Sequence, residues 1–484
     1  MSGSLTILFV IALVLAFLGV IAYSPLAMIV SVTVIGFSVL LTSMLFGLIF
    51  GVRVHTESSF ITAVILFFIF TPTLEVSGLL GLVLVGMIAG ASKFILAFKG
   101  RHIFNPAAIA AFIIGLTGIA HASWWVGTPL LIIPTFLLGF AVLQKTRRVP
   151  SSGTFIGLAT VLVIIVLMVE GETLGGSLVL WLSWPVLFFS SFMLTEPLTL
   201  PGKKWQQILE AAVVAILFAI PINIGDFSTS PAFALVIGNL IAFGFTRRQK
   251  VTLTFVEQKQ LTPTTYEFIF TPRTPLRYAA GQYLEIRVPH KHDDFRGSRR
   301  SFSITSAPGE ETLRLGVKFY EPSSSFKKAL RTLEKSAVIE STGISGDFTL
   351  PKDKLTPLLY VAGGIGITPF ISHLQTLKRR NEARDSVLFY SINSIDELAY
   401  KDILESAGIK VFIITKTNQR LTLPKNWVHI NEPFITKEVL ATYISDVDTR
   451  TAYISGPPLM IDGVKKQLKQ LHVTHIKTDY FIGY

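Results

Sequence analysis

No cysteine occurs among the 484 residues. Disulfides, thiolate nucleophiles, cysteine-ligated zinc and thiolate-held iron–sulfur clusters are therefore excluded, and any redox chemistry needs another carrier. Charge is scarce as well. Asp, Glu, Lys and Arg make up 15% of the chain and half of it is apolar, whereas a water-soluble globule carries about 25% charged residues. The deficit points to a membrane component. Histidine is thin where it would matter: the first half holds only His55, His102 and His121. These form no same-helix pair and no histidine box, which excludes haem ligated across a bilayer. The net charge of +12 is dispersed, with no basic run interleaved with aromatics, so a nucleic-acid partner is not expected.

What is present divides the chain near residue 250. Residues 1–250 carry 12 Lys/Arg and 7 Asp/Glu, and the remainder carries 31 and 24. The first part contains ten apolar segments, near residues 5–23, 25–50, 59–75, 78–98, 106–122, 128–143, 153–169, 175–193, 207–222 and 231–246. Several fall short of the roughly 20 residues a bilayer core requires, as broken or re-entrant helices do. With a cytoplasmic N-terminus, the inside loops receive Arg53, Lys99, Arg101, Lys145, Arg147, Arg148, Lys203, Lys204, Arg247 and Arg248. The outside loops receive only acids: Glu75, Glu170, Glu172 and Asp226. This follows the positive-inside rule. The first segment lacks a basic leader region and reads as a retained span rather than a signal peptide. The expected fold class is thus a multi-pass α-helical membrane domain of about ten spans over residues 1–246. It sits in the plasma (inner) membrane, with both termini and the second half cytoplasmic.

Two stretches in this domain are more than connectors: KFILAFKGRHIFNPAA (93–108) and FMLTEPLTLPGKK (192–204). Their cations can simply anchor helix ends at headgroups, and Asn105-Pro106 is an ordinary helix start. The sharper reading is an inner-face anion or phosphate site built from Arg101, Lys99 and helix N-termini. Glu196, beside Thr195 and Pro197, is then a functional ionisable group. These paired motifs resemble those of the membrane flavoprotein subunits B of sodium-translocating NADH:quinone reductase and D of the Rnf electron-transport complex, over roughly residues 60–245. That resemblance implies a flavin- or quinone-binding helical bundle, with Arg101, Asn105, Thr195 and Glu196 as cofactor-binding candidates. The family's flavinylated Ser-Gly-Ala-Thr loop is replaced here by the short connector HASWWVGTP. The flavin it implies is therefore non-covalent, FMN or riboflavin.

From Val251 the pattern changes to alternating apolar and polar residues, as in VTLTFVEQKQL, TYEFIFTP and QYLEIRVP. Residues 251–352 therefore read as an antiparallel β-barrel. Strand–helix alternation over residues 353–484 reads as a doubly wound α/β nucleotide-binding domain. Arg300 to Ser306 (RSFSITS) lies on a barrel strand. Arg300 suits a pyrophosphate, Phe302 an aromatic ring, and Ser303 a ring nitrogen or carbonyl, although the same pattern describes a half-buried strand. Ser323-Ser324-Ser325 opens a helix and either caps it or meets a phosphate. Gly363-Gly364-Ile365-Gly366-Ile367-Thr368-Pro369 follows a buried strand and opens a helix, the context in which glycines admit a pyrophosphate. Gly456-Pro457-Pro458-Leu459-Met460 ends another strand, and the chain stops at DYFIGY. The run His290, His292, Asp293, Asp294 reads as a solvated loop, and no metal site is expected.

In this order the motifs resemble the ferredoxin–NADP reductase superfamily, over nearly all of residues 251–484. The resemblance implies FAD held by Arg300, Phe302, Ser303, Ile304, Thr305, Ser324 and Ser325. It implies NAD(P)H held by Gly363, Gly364, Gly366, Thr368, Gly456 and Pro457. Phe302, Ser303 and Tyr484 would act at the flavin, with Tyr484 or Phe481 stacking near its ring. The second-strand region, YSINSIDELAYKD, contains no arginine for a 2′-phosphate, which favours NADH. The expected activity is an NAD(P)H dehydrogenase passing electrons from FAD into the membrane domain, to quinone, flavin or an acceptor across the bilayer. The alternative is a transporter or flavin carrier coupled to a reductase domain. Partner subunits and oligomeric state are not legible.

Overall fold

The computed structural model describes residues 1–484 apart from 52, 53, 55, 99, 100, 147, 226, 246–250, 289, 291–298, 418–421 and 482–484. The chain divides into two compact units, Met1–Gln249 and Lys250–Tyr484.

The first unit is helical. Its helices are α1 (Ser2–Phe17), α2 (Pro25–Ile49), α3 (Thr56–Ile69), α4 (Val76–Ile95), α5 (Pro106–Thr117), α6 (Pro129–Thr146), α7 (Val149–Val169), α8 (Leu174–Trp181), α9 (Val186–Phe188), α10 (Lys204–Ala219) and α11 (Pro231–Phe245). Two-residue strands β1 (Ala97–Phe98) and β2 (Arg101–His102) pair, as do β3 (Asn223–Ile224) and β4 (Phe227–Ser228). Each of the ten apolar segments holds a helix, but their lengths differ. Four helices, α2, α4, α6 and α7, are long and apolar enough to cross a membrane. A fifth candidate is the pair of α8 and α9, bent by 49° and continued by a π-helical turn at Phe189–Met193. The other apolar helices, α1, α3, α5 and α11, have 12 to 16 residues, short of the length of a straight span.

Packing in this unit leaves many large apolar side chains outside the core. Large apolar side chains such as Leu41, Leu45 and Leu48 on α2, and Val161 and Ile165 on α7, face outward. Small residues let helices meet: a Cβ on Gly86 would lie 2.6 Å from that of Ser38, and one on Gly90 would lie 2.9 Å from that of Thr42. This close α2–α4 contact relies on the Gly-x-x-x-Gly spacing.

The second unit contains two sheets. The first is antiparallel: β5 (Val251–Gln260), β6 (Thr265–Pro272), β7 (Tyr283–Arg287), β8 (Arg299–Ser303), β9 (Leu313–Lys318) and β10 (Val338–Ser345), in the order β8-β7-β10-β5-β6-β9. Its edge strands meet at one isolated bridge, Ile304–Leu315. The expected barrel is therefore a six-stranded sheet whose edges join at that single point. Inward-facing Phe268, Phe270, Leu284, Ile286 and Leu315 form its core. The short α12 (Ser325–Arg331) leads from β9 towards β10.

The second sheet is wholly parallel. Its strands are β11 (Leu358–Gly363), β12 (Ser386–Ser391), β13 (Lys410–Ile414), β14 (Trp427–Ile430), β15 (Thr451–Gly456) and β16 (Ile476–Tyr480), and the order is β14-β13-β12-β11-β15-β16. Helices α13 (Thr368–Arg379), α14 (Lys401–Ser406), α15 (Lys437–Tyr443) and α16 (Pro458–Gln470) connect the strands. β11 is buried along its whole length, as a strand covered on both faces must be. The strand order reverses between β11 and β15. Open α/β sheets bind ligands at that reversal, beyond the carboxyl ends of the strands.

Candidate functional site

The reversal point is built from glycines. β11 ends at Gly363, a 3-10 turn spans Gly364–Ile367, and α13 begins at Thr368. A Cβ on Gly366 would lie 2.3 Å from the Ser455 carbonyl oxygen, and one on Gly363 would lie 2.4 Å from Met460 Sδ. These two glycines let the ends of β11 and β15 press together. Gly364 differs: it has a φ of +53°, and a Cβ there would meet nothing within 4 Å. The turn thus leaves open space against its backbone, the cradle that a nucleotide phosphate requires. Thr368 is fully buried, and its hydroxyl donates to the Ile365 carbonyl at 3.0 Å, closing the turn. Gly456 ends β15 and Pro457 caps α16.

The flavin-motif strand lies in the same unit. β8 pairs antiparallel with β7, with Phe302 opposite Leu284 and Arg300 opposite Ile286. Phe302 is buried, and its ring stacks on Phe326 of α12 with centroids 5.9 Å apart. The Arg300 guanidinium sits 5.3 Å from the same Phe326 ring and donates to the Arg299 carbonyl. Ser324 caps α12 by accepting from the Lys327 N–H. Ser325 Oγ lies 3.0 Å from His290 Nε2. Ile304 and Thr305 are fully buried, and the Thr305 hydroxyl donates to Glu267 Oε1 at 2.9 Å.

Ser303 makes the contact that ties the two sheets together: its hydroxyl donates to Asp479 Oδ2 on β16 at 3.1 Å. The register puts Asp479 beside Ser455, one position before Gly456. β8 is thereby hydrogen-bonded to the parallel sheet beside the end of β15. α13 adds further ties to the segment after β8. Ser372 Oγ donates to the Ser306 carbonyl, Gln375 Nε2 to the Thr305 carbonyl, and Arg379 to the Gly309 carbonyl. His373, fully buried among Phe348, Tyr360, Phe370 and Tyr453, lies 3.0 Å from the Phe348 carbonyl. Burial pushes His373 down to about 3, so the ring is neutral at physiological pH.

Residues 360–466 match the family described as the oxidoreductase NAD-binding domain. The Phenol hydroxylase P5 protein of Acinetobacter pittii is 25% identical over 241 residues, 49% of this chain and 66% of its own length. A flavohemoprotein of Halalkalibacterium halodurans is 24% identical over 220 residues, 43% of this chain and 52% of its own. The reductase component of propane 2-monooxygenase from Mycolicibacterium goodii is 28% identical over 191 residues, 38% and 53% respectively. The chain thus spans about half to two thirds of the length of these curated relatives. Among solved structures, a ferredoxin NADP+ reductase from Neisseria gonorrhoeae with bound FAD and NADP covers 48% of this chain and 98% of its own, at 18% identity and a TM-score of 0.40. Residues 360–466 of the second unit thus resemble an oxidoreductase NAD-binding domain, and the chain is similar in sequence to reductase components of oxygenases.

In the first unit, the two polar stretches singled out in the sequence come together. His102 Nε2 and Glu196 Oε1 lie 3.0 Å apart. Asn105 is buried and fully engaged: Oδ1 accepts from the N–H groups of Ala107 and Ala108, Nδ2 donates to the Met193 carbonyl, and its own N–H donates to Asn239 Oδ1 at 2.7 Å. Thr195 Oγ1 donates to the Ser191 carbonyl. Lys93 Nζ donates to the carbonyl and hydroxyl of Ser58 at 3.2 Å. Glu210 is fully buried on α10 beside the Asn239 side chain.

Several expected residues fall elsewhere. Tyr484 lies outside the described residues, as do Lys99, His292, Asp293 and Asp294. Arg101 is described in its backbone, on β2, and its side chain lies outside the description. The sequence reading had not singled out Asp479, Glu267, His373, Glu210 or Asn239. For His102 the available signal is its place between Arg101 and Asn105 in the first stretch.

Proposed function

We propose that this chain is a membrane-bound NAD(P)H dehydrogenase, with NADH as the favoured donor, that carries electrons from FAD in the second unit to a quinone or flavin acceptor in the first. The Ser303–Asp479 hydrogen bond supports this reading most directly, because it joins the flavin-motif strand to the parallel sheet beside the end of β15. The open backbone at Gly364 fits a dinucleotide phosphate, and Arg300 on β8 fits a flavin pyrophosphate. Bound FAD supplies the exchange between the two-electron donor and one-electron steps. The chain's own residues supply geometry: Ser303 and Asp479 orient polar groups, Thr368 locks the turn, and the glycines admit the phosphates.

For the first unit, four membrane-length helices and the convergence of His102, Asn105, Thr195 and Glu196 support a helical domain in the plasma (inner) membrane. Its acceptor site lies near these residues, where non-covalent FMN or riboflavin, or a quinone, would bind. A carrier coupled to a reductase is a second reading, favoured by the 49° break between α8 and α9, since broken helices line substrate sites in transporters. Native and denaturing extraction of the purified chain, with flavins identified by mass, tests the cofactor assignment. FAD together with NADH oxidation supports the enzyme. Loss of both, with flavin uptake by vesicles independent of NADH, supports the carrier.

A further inference from the structure

We propose that His102 and Glu196 are the proton-donating pair of the first unit, supplying the protons that a quinone takes up with its electrons. This rests on the reading of that unit as an acceptor-reducing domain. The overall step is NADH + H+ + Q → NAD+ + QH2, where Q is a quinone. Two O–H bonds form at the quinone oxygens, the electron pair originates in NADH, and the net proton comes from the inner aqueous phase. An acceptor inside an apolar bundle has no water to draw on, so protein groups must hand protons over.

The pair has the geometry of a relay. Its members come from separate stretches 94 residues apart, yet Nε2 and Oε1 stand at 3.0 Å. The side chains are 10% and 19% exposed, so both are largely enclosed while still reaching solvent. Oε2, the other Glu196 oxygen, is buried and has no hydrogen-bond partner among the described residues. One carboxyl thus meets the imidazole through Oε1 and keeps a second, buried oxygen for an acceptor. A glutamic acid that loses its proton through Oε2 is reloaded through Oε1 from the imidazole.

Neighbouring polar groups lack this capacity. The Asn105 amide, the Thr195 hydroxyl and Lys93 Nζ are all engaged by protein partners. Lys93, on α4, lies within electrostatic reach of Glu196. Glu210 lies beside the Asn239 amide and is completely sealed from solvent, and no described hydrogen bond links it to a solvent-reaching group. Of these two carboxyls, Glu196 is the one with solvent-accessible surface.

The test uses full-length, FAD-loaded protein in detergent, with NADH and a short-chain quinone, over a range of pH. Ferricyanide turnover in the same preparation normalises for loaded reductase. Glu196→Gln is expected to lower the quinone-to-ferricyanide ratio by about tenfold or more, within the range for general-acid groups. Glu196→Asp is expected to restore part of that loss, and His102→Gln to displace the pH profile of quinone reduction. Wild-type ratios and pH profiles in both Glu196→Gln and His102→Gln overturn the proposal. Equal loss in Glu196→Gln and Glu196→Asp, with an unmoved profile in His102→Gln, also overturns it by assigning the pair a structural role. Wild-type protein that reduces ferricyanide but no quinone instead overturns the underlying reading of the first unit, and the relay with it.

Discussion

The Ser303 hydroxyl on β8 donates to the Asp479 carboxylate on β16 at 3.1 Å, joining an antiparallel sheet to a parallel one. A hydrogen bond to a charged group contributes about 1.5–3 kcal/mol. Ser303→Ala and Asp479→Asn should therefore lower NADH-to-ferricyanide turnover by roughly tenfold or more. Because the two act through one contact, the double variant should lose little beyond either single change. Steady-state kinetics on the three variants check this, and additive losses would count against a shared role.

The glycine turn makes a comparative prediction. In Gly366→Ala the new Cβ meets backbone, the Ser455 carbonyl, at 2.3 Å, and overpacking of this kind costs about 1–3 kcal/mol. In Gly364→Ala the space is open but φ is +53°, a strain of about 1–2 kcal/mol. Gly366→Ala should thus melt earlier, whereas Gly364→Ala should mainly raise KM for NADH, because its methyl enters the cradle. Melting curves and KM values on the same preparations separate the two effects.

His373 sets an acid dependence. Its folded-state value is pushed down to about 3 by burial, below the unfolded value of about 6.5. Between these limits the unfolded chain binds a proton that the folded chain refuses, so stability falls as pH drops from about 6.5 towards 3. The slope approaches about 1.4 kcal/mol per pH unit. His373→Leu should remove that one-proton component from the pH dependence of the second unit's melting, followed through flavin release. An unchanged slope would show that the ring is not the titrating group.

Asn105 holds the start of α5, the Met193 carbonyl and Asn239 at once. Loss of the cap alone costs about 1 kcal/mol, and the two further hydrogen bonds raise that. Asn105→Ala should abolish NADH-dependent quinone reduction by the full chain. Comparison of quinone turnover with the flavin content of the membranes checks this.

The fold was legible where periodicity is strong. Alternation from Val251 marks β5 to β9, and strand–helix alternation marks β11 to α13. β10 was missed as a strand because Val338–Ser345 mixes Gly, Ser and Thr, so its membership is decided by pairing with β5 and β7. In the first unit the apolar segments located the helices, but hydropathy alone did not fix their lengths, since Pro185 interrupts one segment at the start of α9 and Phe189–Met193 is π-helical. Site residues inside motifs, such as Gly366 and Asn105, were legible through backbone chemistry. Asp479 and Glu210 were not. Their partners, Ser303 and the Asn239 neighbourhood, are distant in sequence, and an isolated acid carries no local signal.

On the proposed function, electrons entering at FAD leave through the first unit. The most direct test is anaerobic rapid mixing of the protein in lipid nanodiscs with NADH and a lipid-soluble quinone. The expected result is bleaching of the FAD absorbance followed by its return, with one quinol formed per NADH consumed. Flavin that stays reduced while the quinone remains oxidised would contradict it.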